Sequence, residues 1–157
     1  MPFDLPATAY NNNNPAPNLL CATYRLATGI VGATTISTGW SGGGNCTGAI
    51  YEDDNAGALI ASVTQPCPIL GEVTGTTAPF TLGSGGAYRF CICADTATTD
   101  YLGIYGGGGT ILPIILDAFS TSVGRSTNTC TSPGAVPPSS TGALIFSGNQ
   151  IPYIVIE

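Results

Sequence analysis

The chain has 157 residues, of which 43% are hydrophobic and only 8% are charged, with a net charge of -6. The length and the apolar fraction are those of one folded domain. Binding to nucleic acid needs a cationic surface that displaces counterions, and the three basic residues Arg25, Arg89 and Arg125 cannot supply one. The composition therefore argues against a nucleic-acid partner.

Most catalytic machinery cannot be assembled from these residues. The chain contains no histidine and no lysine, the residues on which general acid–base catalysis, Schiff-base chemistry and many transition-metal sites depend. A serine or cysteine nucleophile also needs a neighbouring base or cation. We therefore expect a non-enzymatic protein with no catalytic residues, no metal and no cofactor.

The first 17 residues are expected to form an extended arm. They hold four prolines and an asparagine run at 11–14, without hydrophobic periodicity. Such an arm is either disordered or orders against a neighbouring subunit. Residues 2–10 contain neither a basic nor an apolar signal-peptide region, and no apolar stretch reaches the roughly 20 residues of a membrane-spanning helix. We expect no secretory signal and no membrane insertion.

From residue 18 onward the sequence is typical of an all-β domain. Short runs of β-branched, aromatic and alternating residues are separated by clusters of Gly, Pro, Asn and Ser. The expected fold is an antiparallel β-sandwich of jelly-roll type over residues 18–157. The predicted strands are 19–27, 33–40, 46–52, 58–63, 71–76, 80–82, 87–94, 101–105 and 152–156.

The segment 87–94 shows the clearest alternation. Phe90 and Ile92 share one face of a strand with Tyr88, and Cys91 and Cys93 share the other. The pattern predicts a half-buried strand whose aromatic face points into the core.

Two connections have distinct compositions. Residues 52–57 supply Asp and Asn side chains that can bond their own backbone, followed by a glycine, which predicts a solvated hairpin turn rather than a calcium site. Residues 126–141 contain three prolines and Cys130, and predict a long surface excursion.

The six cysteines favour disulfides over a metal site. Only Cys91 and Cys93 are closely spaced, and a single C-x-C lacks the second ligand pair of a zinc site. Since we expect synthesis in a cytoplasm, the disulfides would form once the protein reaches an oxidising exterior.

Fifteen pairings of six cysteines are possible. A Cys67–Cys130 bond is predicted to pin the long excursion to the sandwich. We further expect Cys46 to pair with Cys91 or Cys93, and Cys21 with the remaining one.

Three aromatic residues allow two interpretations. Trp40, Tyr101 and Tyr105 flank glycine-rich breaks and could stack on sugar rings. Packing between the two sheets is the favoured alternative.

The order of several segments resembles a family of β-sandwich modules from bacteriophage tail fibres and head fibres. The segments are NLLCATYRL at 18–26, CTGAIYEDDNAGALI at 46–60, and FTL at 80–82 followed by GAYRFCICAD at 86–95. The final strand, 151–156, also lies where the family's last strand lies. The resemblance implies a virion surface or fibre protein and brings no catalytic residues. The six cysteines and the arm depart from the family pattern.

We therefore predict a virion surface protein that assembles, as a trimer, and presents loops to a host or to neighbouring subunits. The final segment is apolar on both faces, so a subunit contact is predicted at Ile151, Tyr153, Ile154, Val155 and Ile156. One alternative is a carbohydrate-binding module that binds a cell-surface glycan. Another is a subunit of an extracellular filament, or a capsid decoration protein, whose arm reaches into the next protomer.

Overall fold

The computed structural model describes residues 10–11, 18–54, 56–96, 100–105, 118–146 and 150–157. In these ranges the chain is all β, and twelve strands form two antiparallel sheets. The strands are β1 Tyr10–Asn11, β2 Asn18–Leu26, β3 Ile30–Ser41, β4 Asn45–Glu52, β5 Leu59–Pro66, β6 Leu70–Leu82, β7 Ala87–Ala94, β8 Asp100–Tyr105, β9 Ala118–Thr129, β10 Leu144–Phe146, β11 Gln150–Pro152 and β12 Ile154–Ile156. Among the described residues no helix is long and apolar enough to cross a bilayer.

The first sheet is built around β3. One edge of β3 pairs with β6, and the other edge pairs with β12 and then with β8. Strand β8 also pairs with β1 and with β11. The pairing of β1 shows that Tyr10 and Asn11, within the predicted arm, lie against the chain's own β8.

The second sheet has the strand order β10-β9-β2-β7-β4-β5. Its centre is the antiparallel pairing of β7 with both β2 and β4. Strand β2 takes β9 as its other neighbour, although about a hundred residues separate them in the chain. The β4–β5 pair is a hairpin closed by residues 53–58, as the turn composition predicted.

The core lies between the two sheets. Large side chains from both sheets meet there, including Trp40 and Ile36 from β3 and Ile50 and Phe90 from the second sheet, each at most 1% exposed. A side chain at Gly48 would lie 2.8 Å from the methyl carbons of Ile36 and Thr38, so the sheets approach too closely there for any other residue. The predicted antiparallel β-sandwich is confirmed, and its jelly-roll connectivity stays a prediction.

Several strand predictions were wrong in their bounds, and the predicted final strand 152–156 is divided at Tyr153 between β11 and β12, which pair with different strands. The segments predicted as strands 71–76 and 80–82 form one strand, β6, with an irregular register against β3 near Pro79. Proline has no N–H for the ladder and is tolerated in a strand at such a bulge. Strand β9 was not predicted, and residues 126–129 of the expected surface excursion belong to it.

The outer face of the second sheet is also buried. Residues 130–143, which we call the cap segment, lie across it and cover a second apolar cluster. That cluster includes Leu19, Ala49 and Tyr51, each at 0% exposure. The predicted excursion therefore packs on the sandwich as a partial third layer, so β2, β4 and β7 are buried on both faces.

The six cysteines form three disulfides, as the sequence predicted, but most of the pairing differs. The bonds join Cys21 to Cys91, Cys46 to Cys67 and Cys93 to Cys130. The predicted Cys67–Cys130 bond is wrong because Cys67 lies beside the first residues of β4, whereas Cys130 lies over β7. Cys46 was predicted to pair with Cys91 or Cys93, which is also wrong, because its partner is the neighbouring Cys67. Cys21 does pair with one of the two β7 cysteines, because the β2–β7 register places it opposite Cys91.

Two buried tyrosines differ in their hydrogen bonding. The Tyr24 hydroxyl lies in the core with no hydrogen-bond partner among the residues that the structure describes, and its ring meets Phe90 edge-on. The Tyr51 hydroxyl donates to the carbonyl of Pro138 in the cap segment at 3.0 Å. Burial raises the pKa of both phenols, which stay neutral at ordinary pH.

We expect the two Tyr→Phe substitutions to have opposite effects on stability. Removing the unpaired hydroxyl in Tyr24→Phe should leave the free energy of unfolding unchanged or raise it by up to about 1 kcal/mol. Tyr51→Phe should lower it by about 1 kcal/mol, because the Pro138 carbonyl loses its donor. Urea unfolding of the matched pair measures the difference. A larger loss in Tyr24→Phe than in Tyr51→Phe would contradict the assignment.

Candidate functional site

The structure buries two of the three candidate sugar-binding aromatics. Trp40 is 0% exposed, and its indole N–H donates to the Thr38 hydroxyl at 2.7 Å. Tyr101 is 3% exposed and belongs to the same core. The side chain of Tyr105 lies outside the described residues. A sugar ring cannot reach Trp40 or Tyr101, so packing between the sheets, the favoured alternative, accounts for both.

The final segment is used mostly inside the chain. Ile154 and Ile156 pack into the core from β12 and are not free for a subunit contact. Tyr153 and Val155 are half-buried, and the Tyr153 hydroxyl donates to the Glu72 carboxylate at 2.8 Å. The side chain of Ile151 lies outside the described residues, while its backbone pairs with Ile104 of β8. The subunit contact expected at Ile154 and Ile156 is corrected, because the sandwich itself needs these residues.

The richest cluster of polar contacts fastens the cap segment to the second sheet. At its centre is Arg89, whose Nε donates to Asp53 Oδ1 at 2.7 Å. The same guanidinium donates to the Thr141 hydroxyl and, at 2.8 Å, to the carbonyl of Gly142. The Arg89 side chain is 13% exposed, so these charge-assisted bonds are partly shielded from water.

A second polar anchor holds the other end of the cap segment. The Asp95 carboxylate accepts hydrogen bonds from the backbone N–H and the side-chain amide of Asn45, both at 2.8 Å. It also accepts one from the backbone N–H of Gly134, at 2.8 Å. Desolvation alone would raise the pKa of Asp95, but these hydrogen bonds outweigh it and lower the pKa below its usual value.

Between the two anchors the cap segment is held by buried contacts. The Thr47 hydroxyl, on β4, donates to the carbonyl of Ala135 at 2.6 Å. The Cys93–Cys130 bond fixes the start of the segment to β7. Near its end the backbone of Ser139 accepts from Leu59 at 3.0 Å. The cap segment is therefore joined to β4, β5 and β7 along its length.

Acidification is expected to weaken the Asp95 anchor. Because the folded-state pKa lies below the unfolded value of about 4, the carboxylate stabilises the fold above that pH and the contribution is lost as pH falls through the folded pKa. At pH 7, Asp95→Asn should lower the free energy of unfolding by about 1 kcal/mol, a modest value because the group is partly exposed.

The measurement is urea unfolding of wild type and Asp95→Asn from pH 7 to pH 3. The difference between the two proteins should shrink as the pH falls below about 4, since protonation then progressively removes from the wild type the stabilisation that the substitution removes at neutral pH. In the control variant Asp54→Asn, the change in the free energy of unfolding should be small, and it should not follow the pH dependence expected for Asp95→Asn. A pH-independent difference for Asp95→Asn would contradict the expected titration.

The hairpin turn behaves partly as predicted. Asp54 Oδ1 accepts from the N–H groups of Ala56 and Gly57 at 3.0 and 2.6 Å, and Gly57 has a positive φ of 56°. Asp53 is not merely solvated, because it forms the ion pair with Arg89. A side chain at Gly57 would also meet the Thr141 hydroxyl, so the turn and the cap segment fit closely.

These contacts can immobilise a surface segment, and they provide no arrangement of nucleophile and base. Among the described residues no group of three or more His, Cys, Asp or Glu side chains is placed to hold a metal ion. Neither Arg89 nor Asp95 was predicted as an anchor. The sequence contains only a weak indication of the Arg89 anchor. Arg89 lies on the same face of its strand as Cys91 and Cys93, and a cation on that face needs a partner once the face is covered.

Three disulfides in an all-β domain of this size indicate an oxidising setting, extracellular or secreted. Comparison with known proteins adds no relative. No protein-family model, no curated protein and no solved structure matches the chain.

Proposed function

We propose that the chain is a non-enzymatic structural module on the surface of a virion or a comparable extracellular assembly, where it presents loops to a host or to neighbouring subunits. The observation that carries the proposal is the covalently fastened cap segment. A disulfide and several hydrogen bonds, two of them donated by the Arg89 guanidinium to Thr141 and Gly142, hold a stretch without regular secondary structure against a sheet. A segment fastened in this way would keep its conformation in an extracellular environment.

The likeness of three segments to phage fibre modules gives the proposal its setting. Those segments become β2, the β4–β5 hairpin, and the end of β6 with β7. They form the neighbouring strands β2, β7 and β4 of the second sheet, the beginning of its edge strand β5, and the end of the strand that precedes β7 in the chain. With the final strand, the likeness extends over most of the chain after Asn18, and the six cysteines and the arm depart from it.

The alternatives have less support. A carbohydrate-binding module would need exposed aromatic rings, and Trp40 and Tyr101 are buried. A filament subunit would send residues 1–17 into the next protomer, whereas Tyr10 and Asn11 pair with β8 of the same chain.

Native mass spectrometry and light scattering test the proposal. We expect a closed oligomer, with three copies of the 15.8 kDa chain as the predicted state. A glycan array run on the same sample tests the alternative that the protein is a carbohydrate-binding module. A monodisperse monomer at all accessible concentrations, or glycan binding by that monomer, would overturn the assembly function.

A further inference from the structure

The three disulfides differ sharply in their access to solvent. Cys21, Cys91 and Cys93 are 0% exposed and Cys130 is 3% exposed, all beneath or within the cap segment. In the third bond Cys46 is 2% exposed, but Cys67 is only half-buried. Thiol–disulfide exchange requires a thiolate to reach a sulfur atom, so access separates this bond from the other two.

The Cys46–Cys67 bond also lies where the chain passes from one sheet to the other. Cys67 follows β5 of the second sheet, and Leu70 begins β6 of the first. Few other contacts fix this connection: the N–H of Cys67 donates to Gly44 at 2.9 Å, and the carbonyl of Ile69 accepts from Gly42 at 3.1 Å. Ile69 is 89% exposed. Cys67 itself packs partly against the core, but the connection beyond it reaches into solvent at Ile69.

We propose that Cys46–Cys67 is a redox-responsive staple, which a dithiol reductant opens in the folded protein while the other two disulfides stay closed. A thiolate of the dithiol attacks Cys67 Sγ, the S–S bond breaks, and its electron pair leaves with Cys46 as a thiolate that takes up a proton. The second thiol of the reductant then attacks the mixed disulfide and releases the Cys67 thiol. The dithiol becomes a disulfide, and the protein gains two thiols.

Opening the staple changes the connection rather than the fold. Cys46 and Gln65 are paired in the β4–β5 hairpin, so the ladder on the β5 side holds without the disulfide. The β3–β6 ladder holds the other side from Leu70 onward. Residues 67–69 lie between these ladders, and they are the part that gains freedom. The proposal does not depend on the assembly function.

Graded reduction of the native protein tests the proposal. Samples taken during exposure to dithiothreitol are quenched in denaturant with a thiol-alkylating reagent and mapped as peptides. We expect Cys46 and Cys67 to be labelled together, roughly tenfold or more faster than the other four cysteines. Far-UV circular dichroism should stay unchanged at that point, and amide exchange should rise at residues 67–69.

The matched control is the double variant Cys46→Ser/Cys67→Ser, which should release no thiol over the same interval. If that variant fails to fold, the wild-type time course alone decides. Earlier labelling of either buried pair, simultaneous labelling of all six cysteines, or no labelling without denaturant would each overturn the proposal.

Discussion

Trypsin is expected to leave the oxidised, folded protein uncut, while the reduced and unfolded chain is cut after each of its three arginines. The chain has no lysine, and Arg25, Arg89 and Arg125 lie in β2, β7 and β9. Each of these strands is paired on both edges, so each arginine has a backbone partner on either side. A protease needs its substrate as a free extended segment, which here requires opening a sheet.

Arg25 makes the experiment informative, because its side chain is exposed while its strand is internal to the sheet. Protection at this residue would show that access to the backbone, rather than to the side chain, limits cleavage. Mass spectrometry of timed digests, with the unfolded chain as the positive control, measures the rates. Rapid cleavage after Arg25 with the other two sites intact would mean that β2 opens locally, contrary to its place between β7 and β9.

Replacing Trp40 by alanine is expected to lower the free energy of unfolding by about 3–5 kcal/mol, because the largest fully buried side chain of the core would leave a cavity. The substitution also leaves the Thr38 hydroxyl without its indole donor. A loss of this size is a large fraction of the stability of an ordinary domain. Urea unfolding monitored by circular dichroism measures it.

The matched control is Val31→Ala, in the same strand, where the side chain is 84% exposed. Its effect should stay within about 0.5 kcal/mol. If Trp40→Ala were as mild as Val31→Ala, Trp40 would not belong to the core, and the sugar-stacking alternative would return.

The strands that end at clusters of turn-forming residues could be predicted from the sequence. Strand β7 has the predicted bounds, β4 begins one residue earlier than predicted, and β2 is shifted by one residue at both ends. In each case a run of apolar and β-branched residues ends at a cluster of Gly, Asn or Asp, so local turn chemistry and the strand pattern agree. The aromatic face of β7 also points into the core as predicted, with Phe90 and Ile92 each 1% exposed.

Strand β9 could not be predicted because its sequence carries little periodicity. It is rich in Ser and Thr, and one of these side chains, Ser126, is buried by donating to the Thr141 carbonyl of the cap segment. A hydroxyl satisfied in this way can occupy a buried position, so the usual apolar signal is missing. Pairing with β2 and β10, rather than composition, makes this segment a strand.

The disulfide pairing and the polar anchors depended on long-range register. Spacing along the chain does not reveal that Cys21 lies opposite Cys91, or that Cys130 lies over Cys93. The same holds for Asp95 and Gly134, which meet only because the cap segment crosses the sheet. Local rules predicted that the cysteines needed partners and could not say which, and they predicted no partner for Asp95.

The pairing of β3 with β12 also affects when the protein can fold during its synthesis. Ile36 lies opposite Ile156, and Leu20 of β2 lies opposite Arg125, so the first sheet stays incomplete until β12 has left the ribosome and the second until β9 and β10 have done so. Such distant pairings slow folding relative to proteins with local contacts. Cys93 also has no native partner until Cys130 is synthesised, by which time Cys21, Cys46, Cys67 and Cys91 have all been made.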